Sequence, residues 1–162
     1  MRGKTIFAAI AILAAPLLML SLAQGQDEQS HAQHIVVLPD KLEWKDGPPG
    51  LPPGAKIATL EGDMSKPEPF TVRAKTPAGY KIPPHWHPAI EHVTVLSGKL
   101  GMGAGDELDK SKGTVLPPGG FAVMPPKMHH FAWAEEECEI QIHGVGPWGI
   151  TYVNDADDPR KK

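Results

Sequence analysis

His85 and His87 stand two apart, and Glu91 follows four positions later. In an extended strand alternate side chains share a face, so both imidazoles point to one side. Glu91 has the same parity and joins them if the strand or its bend continues. Two imidazoles and a carboxylate on one face form half of a metal shell, with nitrogen and oxygen donors that suit Mn, Fe, Co, Ni, Cu or Zn. A second stretch, 119–130, runs from Gly119-Gly120 through an apolar segment and Pro125-Pro126 to His129 and His130. A short strand, a proline turn and a histidine would bring a third imidazole from a distant piece of chain. Adjacent strand residues face opposite ways, so only one of His129 and His130 can point inward.

Gly79, His85, His87, Glu91 and Gly98 fall without a gap on G-x5-H-x-H-x3-E-x6-G. This pattern resembles the first conserved motif of the cupin superfamily. Gly119, Pro125 and His130 are similar to the second motif, G-x5-P-x-G-x2-H-x3-N. Lys127 stands where glycine is usual, and Ala134 where asparagine is usual. The resemblance selects His130 over His129. It implies an all-β, cupin-type jelly-roll β-barrel of antiparallel strands, with metal ligands inside its mouth. It also implies one divalent transition metal ion on His85, His87, Glu91 and His130, and a homodimer.

Two classes of function fit these residues. In one, the protein is a metalloenzyme performing an oxygenase-type or isomerase-type reaction on a small polar molecule. Glu91 then either stays bound or swings off and acts as a base. In the other, it binds or senses metal or a small ligand without turnover. Glu139, Gln141 and His143 share one face of a strand. That face is either solvated or lines the barrel interior, and Gln141 and His143 are expected as substrate-pocket residues. His92 is out of phase with Glu91 and is expected outside the pocket. Cys138 shares its face with Ile140 and Ile142 and reads as a small buried apolar residue.

The elements that must position these residues are short. Apolar and alternating runs at 35–38, 57–60, 70–75, 92–96, 121–124, 138–143 and 150–153 are bounded by Pro and Gly. The chain holds 18 Pro and 17 Gly, which suits many turns and leaves no long helical stripe. The barrel is expected over 35–153. The segment 47–54 (GPPGLPPG) cannot sit within a central strand and is expected as an arm laid over the outside. Residues 154–162 are expected as a charged, solvated tail, because its acidic run lacks the spacing of a calcium loop. Gly101, Gly103 and Gly105 lie in a hairpin with no following helix, which excludes a nucleotide-binding loop.

Arg2 and Lys4 precede an almost wholly apolar run that ends near Ser21 and Ala23. This reads as a signal peptide over 1–23, followed by a flexible leader over 24–34 and a periplasmic or secreted protein without a stable membrane anchor. A retained anchor is the alternative, since the run approaches spanning length. Cleavage would leave 139 of the 162 residues, enough for one core. A single cysteine excludes an intrachain disulfide. A net charge of −3 gives no footprint for nucleic acid.

Overall fold

Alternating apolar side chains organise the chain into two antiparallel sheets. The computed structural model describes residues 34–162; the expected signal peptide and all but the last residue of the leader lie outside the described residues. The first sheet contains β1 (Lys45–Asp46), β2 (Lys56–Glu61), β3 (Pro69–Thr76), β5 (Glu91–Ser97), β8 (Phe121–Met124) and β10 (Cys138–Val145). Its order is β1-β2-β3-β10-β5-β8. The second contains β4 (Lys81–Trp86), β6 (Leu100–Ala104), β7 (Gly113–Leu116), β9 (His130–Ala134) and β11 (Thr151–Tyr152), in the order β11-β4-β9-β6-β7.

The two sheets share one core. Phe70, Val72 and Ala74 of β3 are buried, and Ile142 and Ile140 of β10 lie opposite Val72 and Ala74 in register. Val93 and Val95 of β5 continue that face, and Tyr80, Leu100, Ala132 and Ala134 meet it from the other side. Each fully buried side chain of the Val, Ile or Phe class contributes about 1.5–3 kcal/mol. Cys138 belongs to this core, and burial pushes its thiol up to about 11.

The hairpin glycines have a packing role. Gly101 lies opposite Trp133 and Gly103 opposite Phe131. A Cβ at either glycine would collide with the facing aromatic ring. Both rings are thereby buried on the face of β9 opposite to His130, Ala132 and Ala134.

Three expected segments differ. Residues 35–38 are exposed and have no strand partner among the described residues; they lead into a 3-10 turn at Pro39–Lys41. β-branched side chains alone do not make a strand without a ladder to join. The segment 47–54 is not an outer arm, because Tyr80 Oη donates to the Pro52 carbonyl at 2.5 Å and Tyr152 Oη to that of Gly50 at 2.9 Å. These bonds draw Pro48, Pro49, Gly50 and Leu51 against the inter-sheet cavity. The charged tail forms 3-10 turns at Asp155–Asp157 and Pro159–Lys161, capped by the side chains of Asn154 and Asp158. Asp158 is buried there and pairs with Arg160 at 2.7 Å.

Candidate metal centre

Pro83 and Pro84 interrupt the β4 ladder, and the pairing with β9 shifts register between Ile82 and His85. Beyond that irregularity His85 lies opposite His130 on one side and Tyr152 on the other. His87 follows just past the end of β4, and a bend over 88–90 carries the chain into the other sheet, which Glu91 opens. The carboxylate therefore joins the imidazoles across the sheets rather than by shared strand parity. All four side chains are buried, at 2–5% exposure.

The Nδ1 atoms are anchored to backbone. His85 bonds the Pro83 carbonyl at 2.7 Å, His87 that of Gly149 at 2.7 Å, and His130 that of Met128 at 2.9 Å. A carbonyl only accepts, so each Nδ1 carries the hydrogen and each neutral ring keeps its lone pair on Nε2. Anchoring of this kind is how second partners orient metal-binding imidazoles. The ligand atoms of His85, His87 and His130 lie within 4.8 Å of one another. Nε2 of His87 and of His130 is buried without a hydrogen-bond partner among the described residues, each 3.4 Å from Oε2 of Glu91.

Lone pairs aimed at a carboxylate repel unless a proton or a cation stands between them. A single divalent ion meets these donors together, so the residues fit a transition metal. Burial, reinforced by His130 and His87, pulls His85 down to about 3 and keeps it neutral at physiological pH. Burial pushes Glu91 upward, but a proton standing between the carboxylate and His130 or His87 gives hydrogen bonds and opposite charge that outweigh it and hold the carboxyl below its usual range. The set thus offers a carboxylate oxygen at Glu91 and an uncharged nitrogen at His85.

The second motif closes the site with a substituted turn. Lys127 takes the left-handed conformation that its motif position reserves for glycine, with φ 63°. A non-glycine residue there costs roughly 1–2 kcal/mol. Its N–H donates to the His87 carbonyl at 2.8 Å, so the turn is held against the first motif despite the missing glycine.

A family model for the ChrR cupin-like domain matches residues 32–148. The chain belongs to this family. Solved structures share the cupin fold with this ChrR cupin-like domain. The polyketide cyclase RemF from Streptomyces resistomycificus matches with TM-score 0.64 at 16% identity, over 80% of this chain and 92% of that one. An acetylacetone dioxygenase from Acinetobacter johnsonii matches with TM-score 0.58 at 16% identity, over 78% and 82%. An RmlC-like cupin from Shewanella frigidimarina matches with TM-score 0.55 at 18% identity, over 72% and 94%. No curated protein matches.

In this ChrR cupin-like domain the four side chains open onto a cavity of about 480 Å³ between the sheets. Its wall is apolar: Ile57, Val72, Ile82, Val93, Met102 and Ile142 are representative. Gln141 and His143, expected in a substrate pocket, do not line it. They project from the opposite face of β10 to Ile140 and Ile142, which do. Gln141 accepts a hydrogen bond from Arg73 at 3.3 Å, and His143 stacks on His92. An apolar interior takes the apolar face of β10 and leaves the polar face outside. His129 is exposed and pairs with Asp106 at 2.6 Å.

Sequence reading missed Trp148, whose ring stacks on His87 with centroids 4.2 Å apart and planes 18° apart. It sits in a segment without periodicity, so no strand pattern marks it. Arg160 was also missed, hidden in a run that reads as solvated charge, and it lines the cavity.

Proposed function

We propose that the protein holds one divalent transition metal ion on His85, His87, Glu91 and His130 and carries out oxygenase-type chemistry on a small molecule in the cavity. The observation that carries this reading is the convergence of anchored imidazoles, two with unpartnered Nε2 atoms, on one ionised carboxylate at an apolar cavity. A bound metal with open positions supplies Lewis-acid and oxygen-activating chemistry there. The chain's own residues do the rest. The three carbonyl anchors hold the imidazoles in place, Glu91 balances charge and is the local proton acceptor, and the apolar wall excludes water. That wall favours a molecule with an apolar body and one polar, chelating end, which narrows the small polar molecule expected from sequence.

The test is elemental analysis of the native protein, followed by oxygen uptake on β-diketones and related chelating molecules. One metal per chain with ligand-dependent oxygen consumption supports the reading. A second reading, binding without turnover, draws on Glu91 being the one carboxylate paired with these imidazoles among the described residues. Stoichiometric metal without oxygen uptake or isomerisation across that panel selects it.

We also propose export, on the charged and apolar start of the chain. Mature protein is expected outside the cytoplasm with Gln24 as its first residue. Intact mass of the fractionated native protein decides this, and a cytoplasmic chain of all 162 residues contradicts it.

A further inference from the structure

The residues 146–149 follow β10 and clamp one ligand. Gly146 N–H donates to the Glu68 carbonyl at 3.0 Å, and Trp148 N–H to that of Met64 at 2.7 Å. A Cβ on Gly146 would collide with the Lys66 carbonyl, so the two segments touch backbone to backbone. From this base two adjacent residues fix one imidazole. The Gly149 carbonyl takes the His87 Nδ1 hydrogen at 2.7 Å, and the Trp148 ring lies flat against the His87 ring. Phe70 braces the indole in turn, with ring centroids 5.7 Å apart.

The indole also has an unused donor. Trp148 lines the cavity, and its Nε1 is buried without a partner among the described residues. Several other polar groups of the lining are committed. Tyr80 gives its hydroxyl hydrogen to the Pro52 carbonyl, and Ser65 gives its own to Asp63. Arg160 is tied to Asp158 and to the Ile150 carbonyl, and the Trp133 Nε1 donates to Glu135. A buried N–H without an acceptor is costly, and an apolar wall offers it none.

We propose that Trp148 is the positioning residue for the His87 ligand and that its indole N–H recognises an acceptor oxygen of the molecule bound in the cavity. The proposal rests on the metal reading above and sharpens its substrate class. The ligand is a molecule with an apolar body whose polar end is a carbonyl or enolate oxygen, with no cationic group.

The test uses the full mature chain. Co(II) is titrated into the native protein, Trp148→Phe and Trp148→Ala, with visible absorption as the readout. Trp148→Ala is expected to weaken Co(II) by about 10–100-fold and to shift the absorption bands, as loss of a ligand's supporting partner does. Trp148→Phe keeps an aromatic face and is expected to restore both. In the Zn(II)-loaded proteins, acetylacetone should bind Trp148→Phe about 5–10-fold more weakly than native, the scale of one hydrogen bond. Imidazole, which offers the indole no acceptor once coordinated, should bind both equally. Native-like Co(II) binding by Trp148→Ala overturns the positioning role. Equal acetylacetone binding by native and Trp148→Phe, or equal losses for acetylacetone and imidazole, overturns the recognition role. If Trp148→Ala does not fold, failure of Trp148→Phe to match native Co(II) affinity and spectrum overturns the positioning role. Failure of the native protein to bind Co(II) at all sinks the metal reading itself, and this inference with it.

Discussion

Two groups of histidines lie on opposite faces of the same fold. Inside, His85, His87 and His130 cluster around Glu91. Outside, His92 and His143 face each other across β5 and β10. The outer rings stack with centroids 4.7 Å apart and planes only 7° apart. The inner rings are inclined by 48–75° to one another. An imidazole's lone pair lies in its ring plane, so parallel stacked rings cannot aim theirs at a point between them, whereas inclined rings can. The inner rings also have their other nitrogen fixed by a carbonyl, while His92 Nδ1 is buried without a partner among the described residues. Proximity of histidines is common to both groups. Convergence and anchoring belong only to the inner one.

The largest break in this comparison comes from removing an inner ring. His85→Ala, His87→Ala and His130→Ala are each expected to lose stoichiometric metal, measured by elemental analysis of folded, purified variants. Glu91→Gln is expected to act more mildly. It keeps the shape and an oxygen donor but removes the anionic charge, so metal remains with affinity reduced by roughly 10–100-fold, comparable with loss of a supporting partner. Any turnover that needs proton transfer to Glu91 falls further than metal occupancy.

Acid titration of the metal-free protein sharpens the same contrast. His85 has a folded pKa of about 3 against an ordinary value of 6.5. The unfolded chain therefore takes up this proton first, and stability falls as pH drops from about 6.5 toward about 3. Above that window the contribution is fully present. Denaturant melts across this range should show the loss, and His85→Gln should flatten it. The smallest effect belongs to the outer group: His92→Ala and His143→Ala should retain one metal per chain.

How much of this was legible depended on whether the signal was local. The spacing of His85, His87, Glu91 and Gly98 is local, and the four expected ligands do come together. Glu91 reaches them through the bend at 88–90, past which strand parity carries no information. Alternation in β10 revealed two faces but not which was inside. Gln141 and His143 would line a polar interior, and this interior is apolar. The positions of 47–54 and Trp148 follow from hydrogen bonds to Tyr80, Tyr152 and Met64, distant partners that no periodicity announces. Gly101 and Gly103 read as turn residues, yet their job is to clear space for Trp133 and Phe131 on the neighbouring strand.

The most direct test uses the adjacent pair His129 and His130, one exposed and one buried at the site. Metal content of folded His129→Ala and His130→Ala, measured beside the native protein, separates neighbour from ligand. The account predicts one divalent transition metal ion per chain in the native protein and in His129→Ala, and none in His130→Ala. Full occupancy in His130→Ala, or loss in His129→Ala alone, would contradict it.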